Sequence, residues 1–197
     1  VLHLLGGVVG GRYLSNRSLF FITTIIQTIG ILLLALAVKP LLYLGLSLFL
    51  VGCGLNTTAY NSILTQRFAP DDNRRDKAFF HSYAYMNVGF CAGYIISGFF
   101  DYSNQYQTLL YASMIPNLIT LFLMGGYWSS LADQETPLTK DKNRASLNLK
   151  KAFGWGIVLL LIPFTLVCFH KAQFSNGVVV GLSTIMFFVI LYLGYQQ

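Results

Sequence analysis

Six long apolar segments that contain no Asp, Glu, Lys or Arg limit the possible folds of this chain more than any other feature. A helix needs about 20 mostly apolar residues to cross a bilayer. The segments show no alternation of period two, so they predict an all-α membrane protein and not a barrel. They span approximately residues 18–38, 41–65, 79–100, 107–128, 153–170 and 177–195.

The composition agrees with lipid as the main solvent. Only 10% of the 197 residues are charged and the mean hydropathy is +0.60, whereas about 25% of a soluble globular domain is charged. These values exclude a disordered chain and an ordinary soluble domain. The three cysteines lie far apart inside apolar segments and form no CxxC pair, so we predict neither a metal site nor any other cofactor.

The net charge of +6 is explained by topology. If the segments alternate across the membrane, Lys39 and Lys171 lie on one side and the other basic residues on the opposite side, which the positive-inside rule makes cytoplasmic. We therefore expect a multi-pass protein of the bacterial inner membrane, surrounded by lipid, with no nucleic-acid partner. The eleven basic residues on the cytoplasmic side are Arg12, Arg17, Arg67, Arg74, Arg75, Lys77, Lys140, Lys142, Arg144, Lys150 and Lys151.

The connections between segments predict how the chain is divided. Lys39 and Pro40 are predicted to form a two-residue hairpin, whereas 129–152 is polar and carries eight of the twenty charges, as expected of a linker between bundles. The predicted divisions are 1–128, a partial N-terminal bundle, 129–152, a cytoplasmic linker, and 153–197, two further transmembrane helices. Because the chain opens on a short apolar stub, we expect it to be a fragment.

Polar residues repeat at helical spacing within the second segment. Cys53, Asn56, Thr57, Tyr60 and Asn61 follow one another at i, i+3, i+4, i+7 and i+8, and therefore share one helix face. Hydrocarbon offers no hydrogen-bond partners, so this face is expected to meet either an aqueous cavity or a neighbouring helix. Both alternatives stay open, and the last four of these residues are candidate substrate-binding residues.

Two weaker polar patches lie on neighbouring segments. Tyr83 and Asn87 are spaced i and i+4, and an amide can both donate to and accept from a polar solute, so both are further candidates for substrate binding. On the first segment, a less pronounced patch consists of Thr23, Thr24, Gln27 and Thr28.

Two stretches resemble known transporters. GGVVGGRYLSNR at 6–17 resembles the glycine-rich basic loop between the second and third helices of the major facilitator superfamily. FAPDDNRRDKAFFHSYAYMNVGF at 68–90 resembles the proton-dependent oligopeptide transporter family, in which an RRD-type loop leads into a helix carrying FYxxINxG. The resemblance covers about residues 5–100 and also includes the GxG of the second segment.

This resemblance implies a fold and a function. It implies a major-facilitator helical bundle in which 1–10 is the end of helix two and 18–128 contains helices three to six. The segments 153–170 and 177–195 then correspond either to the two helices that bacterial members insert between their halves or to helices seven and eight. The implied function is proton-coupled uptake of di- and tripeptides by alternating access, together with the remaining half of the transporter.

The resemblance also implies site residues. It assigns Tyr83 and Asn87 to substrate binding, and a cytoplasmic gate to Gly6, Gly7, Arg12, Arg17, Arg74, Arg75 and Asp76.

Three family positions carry other residues: Gly11 replaces the acid of the first loop, Thr57 the fourth-helix lysine and Thr58 the following proline. Proton coupling through these groups is therefore not expected.

No enzymatic function is expected from the sequence. It contains no HExxH, GxSxG or P-loop motif and no paired carboxylates within the apolar segments. Beside the peptide transporter, two alternatives remain: a general facilitator for another polar solute, and a transport-inactive remnant that serves as an assembly partner.

The charge asymmetry generates a topology prediction. In a variant without the native cysteines, a cysteine that replaces Asn73 should resist a membrane-impermeant thiol reagent added to intact cells, because residue 73 is expected to face the cytoplasm. A cysteine that replaces Lys39 should react. Labelling of residue 73 from outside the cell would contradict the topology.

Overall fold

In the computed structural model, residues 2–69, 71–141 and 143–195 are described. Within these ranges the chain forms helices and no β-strand, which confirms the predicted all-α membrane fold. Val1 and Lys142, on which the sequence analysis drew, lie outside the described residues. The helices are α1 (Leu2–Val9), α2 (Asn16–Ala35), α3 (Lys39–Thr65), α4 (Arg74–Tyr102), α5 (Tyr106–Gly126), α6 (Pro137–Lys140), α7 (Arg144–His170) and α8 (Ala172–Tyr195).

Four of these helices, α2, α3, α5 and α7, are long and apolar enough to cross a membrane. The segments predicted at 79–100 and 177–195 are helical as well, within α4 and α8. The helix α4 is less apolar because residues such as His81 and Asn87 lie along it. In α8 the apolar stretch found among the described residues, Gln173–Val189, is shorter than a full span.

The connection between α2 and α3 differs from the prediction. The chain reverses at residues 36–38, where Ala37 has a φ of 53°. The predicted hairpin at Lys39 and Pro40 is wrong, because both residues belong to the first turn of α3. Proline fits this turn since its fixed φ is already helical and its missing N–H would have no partner there.

Within the predicted linker 129–152, α7 begins at Arg144. The side-chain oxygen of Asn143 accepts a hydrogen bond from the Ala145 N–H at 3.1 Å and caps this helix. Lys and Arg are good helix formers. The helix therefore includes the basic residues that precede the apolar segment 153–170 in the sequence. Within the linker, Thr136 caps the short helix α6.

The two helices α2 and α3 pack closely through glycines. A Cβ atom on Gly30 would lie 2.5 Å from the backbone nitrogen of Phe49, and one on Gly52 would lie 2.6 Å from that of Gln27. No larger residue fits at these distances without moving a helix. Small residues at such contacts bring two membrane helices close enough for extensive packing, which replaces the hydrophobic effect as the stabilising force in lipid.

The buried apolar core lies where α1, α2, α3 and α7 meet. Helix α7 joins it through Val158 and Leu161, and its Gly154 lies directly against Tyr13 and Leu14. By contrast, α4 has no buried residue and none of the described side chains of α8 is buried, so much of the apolar surface of both helices is exposed. The core residues are Val9, Leu14, Leu19, Val51, Leu55, Ala59, Val158 and Leu161.

The glycine contact generates a stability prediction. Gly30→Ala should lower the unfolding free energy by about 1–3 kcal/mol, because the new methyl group overpacks the α2–α3 contact. In the matched control Gly93→Ala no atom lies within 4 Å of the added Cβ, so the higher helix propensity of alanine should leave stability unchanged or raise it by up to about 1 kcal/mol. Thermal unfolding in detergent measures both, and equal effects would contradict the packing argument.

Candidate functional site

A cleft of about 750 Å³ lies between α2, α3, α4 and α5. Its wall on α3 consists of the five polar residues that helical spacing predicted to share one face, which we call the α3 stripe. They are Cys53, Asn56, Thr57, Tyr60 and Asn61. The remaining wall comes from three other helices, and its residues are Phe20, Thr24, Gln27, Phe79, Ser82, Tyr83, Tyr85, Met86, Asn117 and Thr120. Its volume is within the range of about 300–1,000 Å³ that is usual for small-molecule sites.

Two hydrogen bonds tie the α3 stripe to its neighbours. The Asn56 amide donates to the Thr24 hydroxyl at 2.7 Å, and the hydroxyl groups of Tyr60 and Ser82 lie 2.9 Å apart. The first bond joins α3 to α2 and the second joins α3 to α4. The two alternatives for this stripe therefore both apply, because the same side chains line a cleft and bond to adjacent helices.

Other groups in the cleft are free to meet a solute. The Thr57 hydroxyl donates to the Cys53 carbonyl at 3.1 Å within its own helix, which leaves its oxygen lone pairs available. The side-chain amides of Gln27 and Asn61 line the cleft and make no hydrogen bond to any described residue. The cleft thus presents neutral donors and acceptors from two helices.

Five of the six candidate binding residues come together in this cleft, and Asn87 does not. The Asn87 amide is exposed and donates to the Tyr83 carbonyl of its own helix at 2.8 Å, although the adjacent Met86 lines the cleft. Sequence analysis missed Asn117 and Thr120 of α5. These two are polar residues spaced i, i+3 in an apolar segment, and the argument used for α3 would have found them.

The polar patch on α2 is mostly buried. Thr24 and Gln27 line the cleft, but Thr24 is buried like Thr23 and Thr28. The hydroxyl groups of Thr23 and Thr28 donate to carbonyls four residues earlier, at 2.7 Å in both cases. Gln27 is therefore the residue of this patch that is open to a solute.

The predicted gate residues do not form one loop. Gly6 and Gly7 lie inside α1, so their placement in the loop was wrong. A Cβ on Gly6 would lie 3.0 Å from the Thr58 Cβ, which means that this glycine serves helix packing and not a turn. The turn itself is made at Gly11, whose φ of 74° favours glycine.

The charged gate residues separate into two groups. Arg17 donates to the Trp128 carbonyl at 2.7 Å and stacks 4.4 Å from the centroid of the Trp128 ring, whereas Arg12 is exposed. At the start of α4, Arg74 pairs with Asp72 and holds the pKa of that carboxyl below its usual value.

Arg75 and Asp76 follow Arg74 in the first turn of α4, and Asp76 is the acidic residue there. Among the described residues, no hydrogen bond or ion pair joins this turn to the loop of Arg12 and Arg17. The gate function of these residues stays a prediction.

Residues 128–140, which we call the strap, contact the N-terminus of α2, the residue Arg67 that follows α3 and the turn at Gly11. The Asp133 carboxylate accepts a hydrogen bond from the Asn16 N–H at 2.8 Å, where a negative charge interacts favourably with the N-terminus of α2. Arg67 donates to the Ala132 carbonyl at 3.0 Å, and the Leu138 N–H donates to the Gly11 carbonyl at 3.0 Å. Asp133 thus brings a carboxylate close to the loop that contains Gly11.

The end of the strap is fixed to α7 by Asp141. Its carboxylate accepts hydrogen bonds from Lys150 Nζ at 2.6 Å, Ser146 Oγ at 2.8 Å and the Asn143 N–H at 3.0 Å. These contacts lower the pKa of Asp141 from 3.8 to about 2. The hydrogen bond from the Lys150 ammonium contributes most, and the other two donors contribute less.

Comparison with curated proteins identifies similar membrane transporters. Dipeptide and tripeptide permease B of Photorhabdus asymbiotica is 24% identical over 201 residues, which cover 98% of this chain and 39% of the permease. Dipeptide and tripeptide permease A of Salmonella typhi is 26% identical over 119 residues, which cover 59% of this chain and 24% of the permease. The chain is homologous to peptide permeases. No protein-family model and no solved structure matches it.

The homology defines the class of the protein. The relatives are transporters and not enzymes, which confirms the prediction that this chain is not an enzyme. Together with the four apolar helices, this similarity supports a membrane protein. The chain spans about two fifths of the length of permease B and about a quarter of the length of permease A.

The Asp141 contacts generate a pH prediction. Because the pKa of this carboxyl is lowered on folding, its stabilising effect is present above its unfolded pKa and is lost as the pH falls from about 4 to about 2. Asp141→Asn should therefore lower the unfolding temperature at pH 5, and its difference from the wild type should shrink as the pH falls towards the folded pKa of about 2. The control is Glu135→Gln, which removes an exposed pair with Lys140 and should have little effect at either pH. A difference for Asp141→Asn that stays constant with pH would contradict the prediction.

Proposed function

We propose that this chain forms part of a transporter of short peptides, and that the cleft between α2, α3, α4 and α5 forms part of its substrate site. Two independent observations support the proposal. The chain is homologous to dipeptide and tripeptide permeases along most of its length. In addition, Thr57, Asn61 and Tyr83, which sequence analysis selected as binding residues, line one cleft. This second observation carries the assignment of the site.

The chemistry of the cleft suits a peptide. A peptide bond has one donor and one acceptor, and the free amides of Gln27 and Asn61 offer both. The hydroxyl groups of Thr57 and Tyr83 add further groups on α3 and α4. We also keep Asn87 as a binding residue of the complete transporter, where a solute that extends beyond the cleft along α4 would meet its exposed amide.

The proposed transporter is of the major facilitator type and works by alternating access. Residues 1–128 would form part of the first bundle, and the remaining part of the transporter would supply the second bundle across the cleft. The residues 153–197 would serve as two further helices after the cytoplasmic linker. In this arrangement Arg12, Arg17 and the start of α4 would close the cytoplasmic side of an inner-membrane protein.

Proton coupling is not assigned to this chain. A proton-coupled transporter needs a group that changes its protonation within the membrane, and none of the described residues that line the cleft is a carboxylate, a lysine or a histidine. We propose that the chain alone does not perform proton-coupled transport. Any group that carries the proton would belong to the remaining part of the transporter.

The test is peptide uptake into proteoliposomes that contain the product of the full reading frame encoding this chain. We expect uptake of labelled dialanine. Thr57→Val keeps the shape of the side chain and removes its hydroxyl group, and it should lower uptake about fivefold, the value for one lost hydrogen bond of about 1 kcal/mol.

Thr184→Val is the matched control for this test. The Thr184 hydroxyl on α8 donates to the Val180 carbonyl at 2.8 Å, as Thr57 does within α3, but Thr184 lies outside the cleft. Its uptake should equal that of the wild type. Equal losses in both variants would contradict a role of the cleft. Uptake of another solute without peptide uptake would favour a general facilitator, and no uptake at all would favour a transport-inactive protein.

A further inference from the structure

The lining of the cleft is uncharged. None of its fifteen described residues is Asp, Glu, Lys, Arg or His. The nearest basic residues along α4 are Lys77 and His81, and neither lines the cleft. The His81 ring is engaged elsewhere, since its Nδ1 lies 2.7 Å from the Lys77 carbonyl. A charged group that enters this cleft therefore finds no counter-charge on its walls.

Hydrogen-bonding capacity in the cleft is divided between occupied and free groups. The Asn56 amide nitrogen is occupied by Thr24, and the Tyr60 hydroxyl by Ser82. The amides of Gln27 on α2 and Asn61 on α3 make no hydrogen bond to any described residue. Both are neutral groups that pair with peptide N–H and C=O groups and compensate poorly for a full charge.

Aromatic side chains form much of the remaining wall. Phe20 and Tyr60 lie 6.1 Å apart between their ring centroids, and Phe79 and Tyr85 line the cleft from α4. Such rings pack well against uncharged side chains. They give a cation only part of the stabilisation that it loses on leaving water, and they give an anion none.

We propose that this cleft holds the uncharged part of the substrate, namely a peptide amide and an uncharged side chain, and that it discriminates against acidic and basic side chains. Gln27 and Asn61 are the residues that determine this specificity. The inference rests on the proposed function. A free peptide also carries a charge at each end, and groups outside this cleft hold those two termini.

Competition for dialanine uptake tests the inference in proteoliposomes of the full reading frame. For the wild type, Ala-Ser should inhibit uptake, whereas Ala-Asp and Ala-Lys should need about tenfold higher concentrations, the cost of a charge left without a partner. Asn61→Asp and Gln27→Glu each replace an amide by a carboxylate of the same shape. Each should improve inhibition by Ala-Lys about tenfold and leave inhibition by Ala-Asp weak.

The control is Asn148→Asp, the same chemical change at an exposed position near the cytoplasmic start of α7. It should keep the selectivity of the wild type, which shows that net charge alone does not alter inhibition. Equal inhibition of the wild type by Ala-Ser, Ala-Asp and Ala-Lys would overturn the inference. So would unchanged selectivity in both Asn61→Asp and Gln27→Glu. Absence of dialanine uptake by the wild type would instead overturn the proposed function.

Discussion

The close contact between α2 and α3 determines where the polar groups of the cleft lie. Gly30 and Gly52 bring the two backbones so near that a single methyl group would collide with the facing helix. At this separation the Asn56 amide reaches Thr24, and the α3 stripe turns toward α4 and α5. In lipid, where apolar surface gains nothing by leaving the solvent, such packing and such hydrogen bonds are the available sources of specificity.

The end of the helices at which α2 begins is organised by a different kind of contact. There the strap supplies Asp133 to the N-terminus of α2 and the Trp128 ring to Arg17, so polar and aromatic contacts are added to glycine packing. Around it, α7 adds Val158 to the core formed by α1, α2 and α3. The linker that separates two groups of helices in the sequence is therefore also a structural part of the first group.

Helical periodicity explains what could be predicted from the sequence. It correctly placed Thr57 and Asn61 on one face of α3, because the spacing of residues fixes their direction around a helix. It does not fix how a neighbouring helix is rotated about its axis, and on α4 Met86 lines the cleft whereas Asn87, spaced i+4 from Tyr83, does not. The contact of Asp133 with Asn16 joins residues that are 117 positions apart, and no local pattern encodes it.

That separation has a consequence for the order of assembly. During synthesis α2 leaves the ribosome before the strap, and the carboxylate that meets the α2 N-terminus follows only after α3, α4 and α5. Until residue 133 emerges, the loop at Gly11 and the first turn of α2 must find their partners in water or lipid headgroups. The strap therefore joins the N-terminus of α2 as a late step, after the helices that enclose the cleft have been synthesised.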